Sequence, residues 1–270
     1  CPDKMFCIVL DDGEGIASEK RLIQVMSRGV TRPEDNPYKE YELGSFGVGL
    51  KESSLSQAYE VTIFSKVKGG KVNLIRLSSH AIKKHEDDIL LRRSELEPWM
   101  ETTQGFKNCL EYLLEQEKGT AVLLEGMHKM ELEIGNGDRE VWETAIETRV
   151  RNYLGLVFHK YIDGAKIPLS DGRVKEKKIK LLYGGPRNVI KPLDPFCQDP
   201  KWKNGLSTGT IGRSTKLDVQ VGNEVKKLDV SAWFIPHKKY PGRVNHQDRM
   251  KSTKRINSIM SMQGVYVYRN

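Results

Sequence analysis

The sequence predicts an α/β fold, an α+β two-layer sandwich over residues 1–162, followed by a partial, β-rich domain over residues 163–270. Three observations predict it. An apolar run at residues 5–10 (MFCIVL) breaks into a glycine turn and then an amphipathic helix. A second glycine cluster, Gly44-Ser45-Phe46-Gly47-Val48-Gly49, leads into another helix and a hairpin. Texture and charge both change near Asp163: residues 1–162 carry 22 Lys/Arg against 27 Asp/Glu, a net −5, and residues 163–270 carry 22 against 9, a net +13.

The elements follow in order. Residues 5–10 form a continuous apolar strand, as expected of one buried on both faces. Asp11-Asp12-Gly13-Glu14-Gly15 ends it, and Ser18 is placed to cap a helix whose inner side is Leu22, Ile23, Val25 and Met26. Residues 29–43, with Pro33, Pro37 and several charges but no periodicity, read as a surface loop. A helix over residues 50–59 precedes a hairpin, VTIF and VNLIR about the Gly69-Gly70 turn. Residues 106–116 read as a helix, 119–124 as a second buried strand, and 140–162 as the longest helix. Beyond it, turns at Asp171-Gly172, Gly184-Gly185-Pro186 and Gly222-Asn223 separate the β-runs 179–183, 217–221, 225–234 and 264–268.

Composition excludes several classes. The chain has 270 residues, 38% apolar and 30% charged, which suffices for a core. No stretch approaches the ~20 apolar residues of a membrane helix, so no membrane partner is expected. Four cysteines without a CxxC pair give neither a zinc site nor a disulfide framework, and reduced thiols point to an intracellular compartment. The six histidines lie apart, so no metal ligands are assigned, and His159 reads as a packed or capping residue. Ser53 and Ser54 have no His or Asp context of a nucleophile. Trp233 and Phe234 read as core residues of a β-run.

The glycine clusters carry the chemistry. Residues 44–51 (GSFGVGLK) lie directly before a helix, where exposed amides and the helix N-terminus suit phosphate. The spacing is not that of a Walker A loop, because Lys51 falls seven residues after Gly44. The order GxxGxG also reverses the dinucleotide fingerprint, and a purely structural turn fits the same residues. Asp11, at a strand end and followed by glycines that leave room for a flat ligand, suits the exocyclic amine of adenine. An Asx turn capping the next helix fits the same residues.

Taken together, the two clusters and the later Gly119-Thr120 resemble the GHKL (Bergerat-fold) ATPases, which include DNA gyrase B subunits, ninety-kilodalton heat-shock chaperones, MutL, MORC proteins and sensor histidine kinases. The DxGxG box matches Asp11, Gly13 and Gly15, the GxxGxG box matches Gly44, Gly47 and Gly49, and the later Thr matches Thr120. The stretches LGLVFHKYI (154–162), PLDPF (192–196) and QGVYVYRN (263–270) look like MORC-like proteins. The resemblance implies that Asp11 binds the adenine amine, that Gly13 and Gly15 shape the adenine wall, and that Thr120 supports that network. Gly44, Ser45, Phe46, Gly47, Val48 and Gly49 would cradle the phosphates of ATP, with Lys51 adding charge and residues 29–43 forming a lid.

The family's ExxxN element, which supplies the general base and the protein ligand of Mg²⁺, has no counterpart: ten residues precede Asp11, and no Asn has a Glu four positions before it. No catalytic residue is therefore assigned. The resemblance implies a piece of a longer ATPase, cut at both ends, with ATP and Mg²⁺ as cofactors. Implied partners are a second copy on ATP binding and DNA along the basic 163–270 segment, which includes residues 237–255 (HKKYPGRVNHQDRMKSTKR). Lys251 and Lys254 are weaker stand-ins for a transducer lysine. A chaperone of the heat-shock type and a nucleotide-independent nucleic-acid binder remain open as alternatives.

Overall fold

The computed structural model describes residues 5–26, 49–78, 90–96, 98–128, 138–169, 171–185, 187–193 and 211–234. The chain divides into two compact units, Cys1–Asp138 and Arg139–Asn270.

The first unit is built on a five-stranded antiparallel sheet in the order β1-β5-β2-β3-β4, with β1 Phe6–Asp11, β2 Glu60–Lys66, β3 Asn73–Ser78, β4 Leu90–Arg92 and β5 Gly119–Glu125. The hairpin β2–β3 forms as its period-2 pattern and Gly69-Gly70 turn predict. Side chains alternate between two faces, and each face gathers its own core. On one face Val61, Ile63, Ile75, Leu77 and Leu124 pack with Leu22 and Met26 of helix α1 (Glu19–Met26). Ser18 caps α1 as expected, its Oγ accepting the Arg21 amide at 3.2 Å. Helix α2 (Gly49–Leu55) ends four residues before the predicted Tyr59.

On the other face Phe64, Leu74, Ala121 and Leu123 pack with Phe106, Cys109 and Leu113 of helix α3 (Gln104–Glu115). Thr103 caps α3 by accepting the Phe106 amide at 3.3 Å, and Lys66 Nζ donates to the carbonyls of Leu113 (3.1 Å) and Gln116 (2.8 Å) at its C-terminus. Burial pushes the Cys109 thiol up to about 12, with the Glu125 charge adding to it. The same face carries a buried ion-pair network. Arg76, 2% exposed, donates to Glu60 (3.1 Å), Glu125 (2.7 Å) and Thr62 (2.9 Å), and Ser78 donates to Glu60 (2.8 Å). These pairings are what let three charges sit inside a sheet–helix layer.

A further expectation fails in this unit. Strand β1 stands at the end of the sheet order: Cys7 and Ile8 are half-buried against the two cores, but Val9 and Leu10, on opposite faces, are 57% and 45% exposed. A continuous apolar run signals a doubly buried strand only when neighbours flank it, and β5 is its single strand partner among the described residues.

The second unit contains helices α4 (Arg139–Val157) and α5 (His159–Asp163), the hairpin β6 (Ala165–Pro168) with β7 (Val174–Lys177), and the long ribbon β8 (Ile211–Val221) with β9 (Glu224–Phe234). The predicted single helix over 140–162 is interrupted at Phe158, and its apolar stripe is only partly covered: Ile146, Val150 and Leu154 are half-buried, while Val141, Tyr153 and Val157 are exposed. His159 is buried and its Nδ1 lies 2.7 Å from the Leu156 carbonyl, a packed, capping histidine as expected. In place of the strand expected over 179–183 there is a single bridge between Leu182 and Val189. The ribbon turns at Gly222 and Asn223 as predicted, and its strands pair from Ile211–Phe234 to Val221–Glu224. The side chains of Trp233 and Phe234, and the run 264–268, lie outside the described residues.

Candidate nucleotide site

The register of the sheet places residues on the α1 face in rows. One row is Cys7, Leu124, Val61, Leu77 and Leu90, and the next is Val9, Val122, Ile63, Ile75 and Arg92. The last row is Asp11, Thr120, Ser65 and Asn73, four polar side chains across four adjacent strands. Such a row at the rim of a mostly apolar face is costly unless each group is paired or serves a ligand.

The buried half of the row is paired within the protein. Ser65 Oγ accepts the Ile16 amide at 2.8 Å, donates to the Gly119 carbonyl at 3.2 Å and lies 3.0 Å from Thr120 Oγ1. Asn73 Nδ2 donates to the Ala17 carbonyl at 3.1 Å. These bonds fasten the glycine turn, residues 12–18, over β2 and β3. Gly15 adopts φ 73°, and a Cβ there would overlap the Lys66 carbonyl oxygen, so the turn presses on β2 only with glycine at this position.

The other half of the row is open. Asp11 is exposed beside the exposed Val9, and Thr120 is half-buried. Asp11 Oδ1 accepts the Gly13 amide at 2.9 Å, and a Cβ on Gly13 would come within 2.6 Å of that oxygen. The turn is thus an Asx turn, one of the two readings left open, but Ser18 and not Asp11 caps the helix. Asp11 Oδ2 makes no bond among the described residues. Although Asp11 is exposed, partial desolvation at the strand end raises its pKa most, the Asp12 charge raises it further, and the Gly13 amide acts against both. Tyr112 on α3 is raised too, first by burial and then by the charges of Asp12 and Asp11. Glu14 and Lys118 form an ion pair that ties the turn to the residue before β5.

Asp11, Gly13, Gly15 and Thr120 are thus brought together. Gly49 opens α2, as a glycine cluster running into a helix requires. Gly44, Ser45, Phe46, Gly47 and Val48 lie outside the described residues, as does the side chain of Lys51. Among the described residues no group of His, Cys, Asp and Glu is arranged to hold a metal ion, and no helix is long and apolar enough to cross a membrane. Sequence reasoning missed Ser65 and Asn73. Their signal was available: they are the uncharged polar residues nearest the Gly69-Gly70 turn on either strand, and a hairpin register pairs them on one face.

A mixed α/β sandwich on an antiparallel sheet, with a carboxylate, a threonine and a glycine turn at one rim, is consistent with the GHKL ATP-binding fold. Residues 2–119 match the family model described as histidine kinase-, DNA gyrase B-, and HSP90-like ATPase. The match supports an ATP-binding module of the GHKL superfamily, and Thr120 lies one residue past its end. No curated protein matches the chain.

Proposed function

We propose that this chain is the ATP-binding module of an ATP-gated, dimerising clamp that acts on DNA. The observation that carries the reading is the polar row that ends, open, at Asp11 beside Val9. An ionised carboxylate and a threonine oxygen next to exposed apolar surface suit the amine and the flat face of adenine. In this reading Asp11 accepts the adenine amine, Thr120 supports it, and Gly13 and Gly15 keep the wall low. The amides of residues 44–49 hold the phosphates, and Lys51 adds charge there. Bound Mg²⁺ would neutralise phosphate charge, and no ligand set for it is formed among the described residues.

Residues 1–162 would form the nucleotide domain and residues 163–270 a transducer-like domain. Its net +13 charge supports a polyanionic partner, and the LGLVFHKYI, PLDPF and QGVYVYRN stretches support placing the chain nearest MORC-like proteins. The test is Asp11→Ala in the full chain, read by binding of a non-hydrolysable ATP analogue. A lost charge-assisted bond of about 1.5–3 kcal/mol predicts roughly a 10- to 150-fold weaker affinity. Unchanged affinity overturns the adenine assignment.

A further inference from the structure

Ser65 is fully buried in β2, yet one oxygen serves three neighbours. A serine hydroxyl has one proton and two lone pairs. The Ile16 amide takes one lone pair at 2.8 Å. The Gly119 carbonyl, 3.2 Å away, can only accept, so the serine proton goes there. Turning that proton to Thr120 would oppose two oxygen lone pairs in a place closed to water. The second lone pair then accepts the proton of Thr120, whose Oγ1 lies 3.0 Å away. Thr120 is left with lone pairs alone to offer at the open end of the row. Its cross-strand partner on the same face, Asp11, also only accepts when ionised.

We propose that Ser65 is a positioning residue that sets the base selectivity of this site: by holding the Thr120 proton it makes the Asp11–Thr120 edge accept-only, which selects a 6-amino purine over a 6-oxo purine. The inference rests on the ATP reading above. An exocyclic amine brings two N–H groups to two adjacent acceptors. An oxo group at the same ring position brings lone pairs and leaves both acceptors unmatched, the kind of mismatch that a hydrogen-bonding site rejects strongly.

The experiment measures binding of ATP and of inosine triphosphate to the full chain, its Ser65→Ala variant and its Ser65→Cys variant. Inosine triphosphate carries an oxo group where ATP carries the amine. The parent should prefer ATP by at least about tenfold. In Ser65→Ala the Thr120 hydroxyl is free to turn its proton outward, so the preference should fall about tenfold, toward parity. Loss of the Ile16 bond weakens both ligands alike and does not move their ratio. Ser65→Cys fills the space with a slightly larger, weakly hydrogen-bonding thiol, and it should show the same fall if the alanine variant does not fold. An undiminished preference in a folded variant that binds ATP overturns the role of Ser65 and leaves the ATP reading standing. A parent chain that binds neither nucleotide overturns the ATP reading and this inference with it.

Discussion

Asp11 is held where ionisation is disfavoured, chiefly by partial desolvation of its exposed side chain and then by the neighbouring Asp12 charge, against the pull of the Gly13 amide. The folded protein therefore keeps the Asp11 proton more tightly than the unfolded chain does. The stability tied to this proton is full below the ordinary aspartate value of 3.8 and is lost as pH rises through the raised folded value. Asp11→Asn removes the titration and retains an oxygen for the Gly13 amide. The variant should melt above the parent at about pH 7, and the difference should vanish as pH drops below the ordinary aspartate range. Paired melting curves from about pH 3 to about pH 8 check this, and a variant less stable than the parent at neutral pH contradicts it. If Asp11 also meets adenine as proposed, one group both lowers the stability of the ligand-free protein and holds the nucleotide, the familiar conflict between stability and activity.

The helices and strands differ in how openly the sequence announces them. Helix α3 was readable because Phe106, Cys109 and Leu113 recur at helical spacing and all three are buried. Its start depends on one hydroxyl. Thr103→Ala leaves the Phe106 amide without its acceptor and should cost about 1 kcal/mol in urea denaturation. The β2–β3 hairpin was readable because alternation and a Gly-Gly turn agree. By contrast, β6 and β7 are short, with Lys166, Lys175, Glu176 and Lys177 among their few positions, and no periodic signal marks them. Strand β1 was found but placed too deep, since hydrophobicity alone does not reveal how many strands flank it. At the site, Asp11 and Thr120 sit 109 positions apart in the chain, and only the family resemblance linked them. Their cross-strand pairing, and the Ser65 hydroxyl between turn and sheet, are products of register that composition does not encode.

On the scale of the whole chain, charge is the dominant asymmetry, −5 against +13 across residue 162. If the basic half meets DNA through phosphates, affinity should be alike for unrelated duplex sequences and fall steeply with salt. Six phosphate contacts would cost about a thousandfold between about 50 and about 200 mM salt. Titrations of two unrelated duplexes at several salt concentrations test this, and no binding at the lowest concentration contradicts it. The β8–β9 ribbon shows another asymmetry. On one of its faces Leu217, Val219 and Val221 stand with Leu228 and Val230 of the facing strand, and all five side chains are exposed. At eleven residues a strand it reaches about 36 Å, a single layer whose two outer margins have no strand partner among the described residues. The described side chains of the ribbon are exposed, so deuterium should enter it early, while the amides of β2 and β5, enclosed by two cores, should trade their hydrogens only when the sheet itself comes apart.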